Sequence, residues 1–304
     1  MSLPSLIRRL SPGENVATAE RGRVGGFAAY LVVLTLLFIQ PLWRLAAHAA
    51  GSSLHSHILL VPFIAAYLLY LRRAQAPAAQ ASSLTGTAVM GVAGAGVLTA
   101  WFGLRGSLSV NDGLALAALA FICFVAAGGF LFLGSAWMRA STFPFSFLIF
   151  MVPLPDAWVD GLEKASMLAS AEAAAFYFDL AGMPHVRQGT VFELPNIVLE
   201  VAQECSGIRS SWVLFITSVV AANVFLRSWW SRLLLVAFVI PLGILRNGFR
   251  ILVIGLLCVH VGRHMIHSPI HHRGGPIFFA LSLIPLTLLL WWLWRLERRP
   301  ASRR

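Results

Sequence analysis

Three clusters of reactive or ionisable side chains interrupt an otherwise apolar chain. The first is Glu204-Cys205-Ser206-Gly207-Ile208-Arg209-Ser210-Ser211. Cys205 stands where a β-rich stretch meets an apolar helix, and the N-terminus of a helix offers unpaired N–H groups and partial positive charge. Both favour the thiolate, the nucleophilic form of cysteine. Glu204 opposes that ionisation, and a cysteine can equally be a small apolar residue. The apolar reading fits Cys123 and Cys258; at Cys205, with polar residues on both sides, the two readings stay open.

The second cluster is Pro241-Leu-Gly-Ile-Leu-Arg246-Asn247-Gly248-Phe-Arg250-Ile251. Arg246 and Arg250 are four apart and so share a helical face. An arginine at the centre of a lone membrane helix costs at least about 2.5–3.5 kcal/mol, so such a residue faces a bundle interior or a wet cavity. It pairs there with a carbonyl or carboxylate, or it does chemistry. The third cluster holds five of the nine histidines: His260, His264, His267, His271 and His272. Histidines at i, i+4 can share a metal. No carboxylate lies among these, and no His-Glu-x-x-His occurs in the chain, so one histidine as acid/base fits better than a metal site. The three cysteines have neither disulfide-framework nor zinc-knuckle spacing. No metal and no cofactor is expected.

A cysteine, a histidine and a guanidinium suit acyl transfer: nucleophile, acid/base, and stabiliser of thiolate or oxyanion. A serine intramembrane protease fits less well, because Glu-Cys-Ser-Gly lacks a Gly-x-Ser elbow. Spacing alone does not bring these residues together; the elements that carry them must.

Those elements are membrane helices. The chain has 304 residues, 58% hydrophobic and 12% charged, with mean hydropathy +0.79. A soluble domain is about 45–50% apolar and about 25% charged, so this composition excludes one. Apolar runs at Val24–Leu42, His57–Leu71, Leu84–Leu104, Gly113–Leu133, Phe143–Leu154, Gly207–Leu226, Leu233–His260 and Pro276–Trp294 predict an all-α polytopic membrane protein of about eight transmembrane helices. The first run exceeds a signal-peptide core, and Arg44 separates it from the small residues Ala46–Ala50, so it reads as a retained helix. No internal repeat occurs, and the whole of 1–304 reads as one integral membrane domain.

The net charge of +11 does not imply nucleic acid, because the basic residues flank apolar runs. With the N-terminus inside, 14 basic residues fall on the cytoplasmic side and six outside, while Arg209, Arg246 and Arg250 lie in or beside apolar segments. This predicts a cytoplasmic head (1–23), a basic cytoplasmic tail (295–304) and an extracytoplasmic insert (156–204) holding eight of the twelve acids. The parity depends on Phe143–Leu154 crossing, although it is short for a span. Within the insert, Ala-rich Leu162–Leu180 predicts a helix lying along the outer surface, and Gly189–Val201 predicts a short β-hairpin leading into Cys205.

In this order the blocks resemble the exosortase/archaeosortase family of polytopic cysteine transpeptidases. The resemblance runs from His55 through Ser56-His57-Ile-Leu-Leu-Val-Pro62, Met151-Val-Pro-Leu-Pro155, Val201-Ala-Gln-Glu-Cys205-Ser-Gly-Ile-Arg-Ser210 and Pro241–Ile251 to His272-x-x-Gly275. It implies an enzyme of the bacterial inner membrane. Such an enzyme would cleave exported proteins at a C-terminal sorting signal (Pro-Glu-Pro-type motif, apolar helix, basic tail) and transfer them to an envelope acceptor. By position Cys205 would be the nucleophile, Arg250 the stabilising arginine and His272 the acid/base. Asn247 would orient the set, and Arg209 would help bind the acidic motif. His271 adjoins His272 and Arg246 precedes Arg250, so each pair offers two matching residues; Pro276 stands where the pattern has an aromatic. Membrane lipid and the sorted protein are the expected partners, with lipid and polysaccharide both open as acceptor. The rival from another class is a transporter or flippase for envelope glycans or lipids, its arginines binding phosphate and its histidines coupling protons. A structural subunit of an envelope complex is a further alternative.

Overall fold

A computed structural model describes residues 12–72, 82–195, 197–201, 207–267 and 275–298. The chain is an all-α membrane fold with one small sheet, and it divides into two compact units, Met1–Asp156 and Ala157–Arg304.

The first unit begins with α1 (Pro12–Leu37) and α2 (Ile39–Gly51), separated by a 75° bend at Phe38. Pro41 accounts for the break: it has no N–H for the Leu37 carbonyl, and its ring crowds that carbonyl. The expected single helix Val24–Leu42 is therefore two. A 3-10 turn (Ser56–Leu59) leads into α3 (Val61–Arg72), followed by the helical pair α4 (Leu84–Leu104) and α5 (Val110–Phe132). Ser83 and Ser109 cap these two helices by accepting from the backbone N–H of Gly86 and Asp112. Leu45, Ala49, Ile58, Leu114 and Ala118 form a core shared by α2, the 3-10 turn and α5. Cys123 is half-buried in α5.

The unit ends in α6 (Gly134–Ala140), α7 (Thr142–Phe147) and a 3-10 turn (Leu148–Met151). Here the expectation of a helix spanning Phe143–Leu154 fails. Pro144 can sit only in the first turn of a helix, and Pro153 and Pro155 cannot donate to continue one. The segment passes as a membrane crossing only if joined to the helix that follows it.

The second unit opens with α8 (Asp156–Leu180), which carries five acids and Lys164 and contains the predicted Ala-rich helix. Next come β1 (Val186–Gln188), β2 (Val191–Leu194) and β3 (Ile197–Glu200), an antiparallel sheet in the order β1-β2-β3. The predicted hairpin is β2–β3, with Phe192 opposite Leu199. Sequence reading missed β1, three residues with an arginine at their centre. Three long helices complete the unit: α9 (Ile208–Phe225), α10 (Trp229–His260) and α11 (Gly275–Arg298). Glu297 of α11 accepts from the backbone N–H groups of Arg227 (2.7 Å) and Ser228 (3.0 Å), satisfying donors at the start of α10 that have no intrahelical partner.

Among the described residues five helices (α4, α5, α9, α10, α11) are long and apolar enough to cross a membrane, or up to seven if each bent pair counts as one span. That is fewer than the eight expected, because proline divides or shortens the remaining runs.

Candidate active site

The second cluster lies on α10, a 32-residue helix, and its side chains point at the beginning of α9. One terminal nitrogen of Arg246, Nη2, donates to the carbonyl of Gly207 at 3.0 Å and to Oγ of Ser211 at 3.1 Å. The residue is 7% exposed, and among the described residues its other terminal nitrogen, Nη1, has no hydrogen-bond partner. Burying a guanidinium is costly unless its donors are met by well-aligned acceptors. Here a backbone carbonyl and a hydroxyl supply two of them, fixing α10 to the first turn of α9.

Asn247, 2% exposed, reinforces the same joint. Gly207 precedes α9 with φ +72°, a left-handed conformation that costs glycine nothing. A Cβ there would lie 2.8 Å from Cγ and 2.9 Å from Oδ1 of Asn247. Gly207 is thus required twice, by its backbone angle and by the amide packed against it. Gly248 serves another face of α10: a Cβ there would sit 2.6 Å from that of Ala173 and 3.0 Å from its backbone, so the glycine admits α8 at close range.

The far half of α10 rests on a hydrophobic core. Ile251, Leu252, Ile254 and Cys258 pack with Phe178 of α8, with Phe192 and Leu194 of β2, and with Leu199 of β3. Cys258, 3% exposed, has the apolar role expected of it. The sheet is tied to α8 by a two-point ion pair, Arg187 Nη1 and Nη2 to the Glu172 carboxylate, each at 2.8 Å. The guanidinium, by hydrogen bond and charge, holds the Glu172 carboxyl below its ordinary range. Through β2 the pair also anchors β3, the strand that precedes Cys205 in the sequence.

The remaining predicted residues divide into two groups. Arg250 is half-buried one helical turn beyond Arg246, while Arg209 in the first turn of α9 is exposed, as are His260 and His264. Cys205, His271 and His272 lie outside the described residues. The structure brings together Gly207, Ser211, Arg246 and Asn247. Sequence reading singled out the last two but gave no role to Ser211, whose only signal is its position one turn after Gly207.

Arg246 also lines a groove of about 270 Å³ with Tyr177, Phe249, Ser282 and Pro285, between α8, α10 and α11. Beyond the arginine and the serine its wall is aliphatic and aromatic. The polar joint at the start of α9 thus opens, through Arg246, beside a largely apolar groove.

No curated protein and no solved structure matches the chain. The transmembrane exosortase family model matches residues 43–288, which include every block described above. By that match over most of its length, the chain belongs to the transmembrane exosortase family.

Proposed function

We propose that this protein is a sorting transpeptidase that cuts exported proteins at a C-terminal signal and transfers them through a thioester on Cys205. The observation that carries the reading is the joint between the Cys-Ser-Gly and Arg-Asn blocks: Arg246 bonds the Gly207 carbonyl, and Asn247 packs on Gly207, two positions after Cys205.

The Cys205 thiolate attacks the carbonyl carbon of the scissile peptide bond, forming a C–S bond and a tetrahedral oxyanion that Arg250 stabilises. His272, or its neighbour His271, gives a proton to the leaving amine as the C–N bond breaks, which leaves the thioester. The same histidine then takes a proton from the acceptor. The acceptor's attack breaks the C–S bond and restores the thiolate. In this scheme Arg246 is a positioning residue that works through Gly207, Asn247 orients the joint, and Arg209 meets the acidic residue of the signal. The site works on the periplasmic side of the bacterial inner membrane, with both termini cytoplasmic and 156–204 outside. The substrate is an exported protein ending in a Pro-Glu-Pro-type motif, apolar helix and basic tail, and the acceptor is an envelope lipid or polysaccharide.

The test is tail cleavage of such a substrate in membranes carrying the wild type, Cys205→Ala or Cys258→Ala at equal protein level. The proposal expects cleavage by the wild type and Cys258→Ala and none by Cys205→Ala. Equal processing by all three would refute the cysteine mechanism, and absence of processing by all three would favour the flippase reading, in which the thiol is dispensable.

A further inference from the structure

A second polar feature lies in the first unit and includes no residue of the candidate active site. Gln40, Arg44, Trp101, Arg105 and Ser109 line a cleft of about 180 Å³ between α2 and the α4–α5 turn. We infer that this cleft binds the phosphate headgroup of an anionic membrane lipid.

Charge is the first argument. Both arginines are exposed, and among the described residues neither is in an ion pair. The nearby acids do not line the cleft and are engaged elsewhere: Asp112 Oδ1 accepts from the backbone N–H of Asp156, whose own Oδ1 accepts from Asn111. Arg105 is held in place, its guanidinium lying over the rings of Trp101 at 4.6 Å and Phe102 at 5.4 Å. A preorganised guanidinium matches phosphate geometry, and two of them without a carboxylate ask for an anion.

Depth is the second argument. α2 is amphipathic: it buries Leu45 and Ala49 and leaves Trp43 73% exposed beside Arg44. Tryptophans alternating with arginines mark the headgroup level of a membrane protein. Size is the third. Sites for whole small molecules hold about 300–1,000 Å³, so this cleft accommodates a headgroup and not the molecule that carries it. The apolar remainder finds an exposed apolar rim at Trp43, Phe102 and Val110.

The experiment places the full-length protein in nanodiscs of mixed phosphatidylglycerol and phosphatidylcholine. Native mass spectrometry then counts the lipid retained by the wild type, Arg44→Gln, Arg105→Gln, the double variant and the control Arg139→Gln. A basic residue near an anionic headgroup changes binding about fivefold, so each single variant should lower the preference for phosphatidylglycerol about fivefold and the double about 25-fold. The control should leave it unchanged. Should the double variant fail to fold, the two single variants carry the same comparison. An undiminished preference in the variants, or an equal loss in Arg139→Gln, would overturn the inference. Displacement of the lipid by millimolar inorganic phosphate would also overturn it, assigning the cleft to the free anion.

Discussion

Replacing Gly207 with alanine should disable the joint at the start of α9 by two separable costs. The first is conformational: at φ +72° a Cβ costs about 1–2 kcal/mol. The second is steric. The new methyl would meet Asn247 at 2.8 Å (Cγ), 2.9 Å (Oδ1) and 3.2 Å (Cβ), and a side chain only 2% exposed has little room to yield. Overpacking of this kind costs about 1–3 kcal/mol, so the total is about 2–5 kcal/mol. Gly182→Ala isolates the first cost, because its φ is +65° with nothing within 4 Å of the added atom. Equilibrium unfolding in mixed micelles should therefore place Gly207→Ala about 1–3 kcal/mol below Gly182→Ala. A cycle with Asn247→Ala, which removes Cγ and Oδ1, should recover most of that difference as a coupling energy. Equal destabilisation by the two glycine variants, with no coupling to Asn247, would refute the packing argument.

Four further outcomes follow, three from the geometry and one, for Arg250, from the proposed function. Ser211→Ala removes one acceptor from Arg246 and should cost about 1–2 kcal/mol in the same unfolding assay, while Arg246→Lys, which loses the planar fork, should cost more. Arg250→Gln should lower the rate of tail cleavage about 100–1,000-fold, the range for losing an oxyanion donor, with substrate retention on pull-down unchanged. His55 is pushed down to about 4 by burial and by the charges of His48 and His57, so the folded protein resists protonating it. Stability should therefore be full above its unfolded value of about 6.5, fall as the pH drops toward 4, and level off below. His55→Gln should flatten that part of a pH-dependent melting curve. Glu172 has the same sign at lower pH: its pairing with Arg187 contributes above the ordinary carboxylate value of 4.5 and is lost in acid. Melting curves of Glu172→Gln and wild type should accordingly differ at neutral pH and converge as the carboxylate protonates.

Composition and apolar periodicity made the membrane class and the long helices legible, since hydropathy reports burial in lipid directly. α4, α5, α9, α10 and α11 coincide with predicted runs to within a few residues, because each is a continuous apolar stretch bounded by serine, glycine or charge. Proline-broken segments were harder to read. Val24–Leu42 and Phe143–Leu154 have the composition of spans, but Pro41, Pro144, Pro153 and Pro155 remove donors, and a hydropathy window does not register a missing hydrogen bond. Strand β1 escaped because three residues centred on Arg187 carry no alternation; pairing with β2 defines it.

At the site, residue type pointed to Arg246 and Asn247, since polar groups in an apolar run must have partners. Their partners were not legible. A backbone carbonyl at Gly207 has no sequence signature, and Ser211 looks like any serine near a helix start. Sequence resemblance favoured Arg250 as the acting arginine, and the fold ties Arg246 to Gly207 and Ser211, so the proposal expects different effects from substituting the two.

The most direct test of the central proposal is intact-mass analysis of the purified wild type after a pulse of sorting substrate in membranes lacking added acceptor. A thioester mechanism predicts an adduct of the mass of the processed substrate on Cys205, released by hydroxylamine and absent from Cys205→Ala. Efficient cleavage with no such adduct, or an adduct that persists in Cys205→Ala, would contradict it.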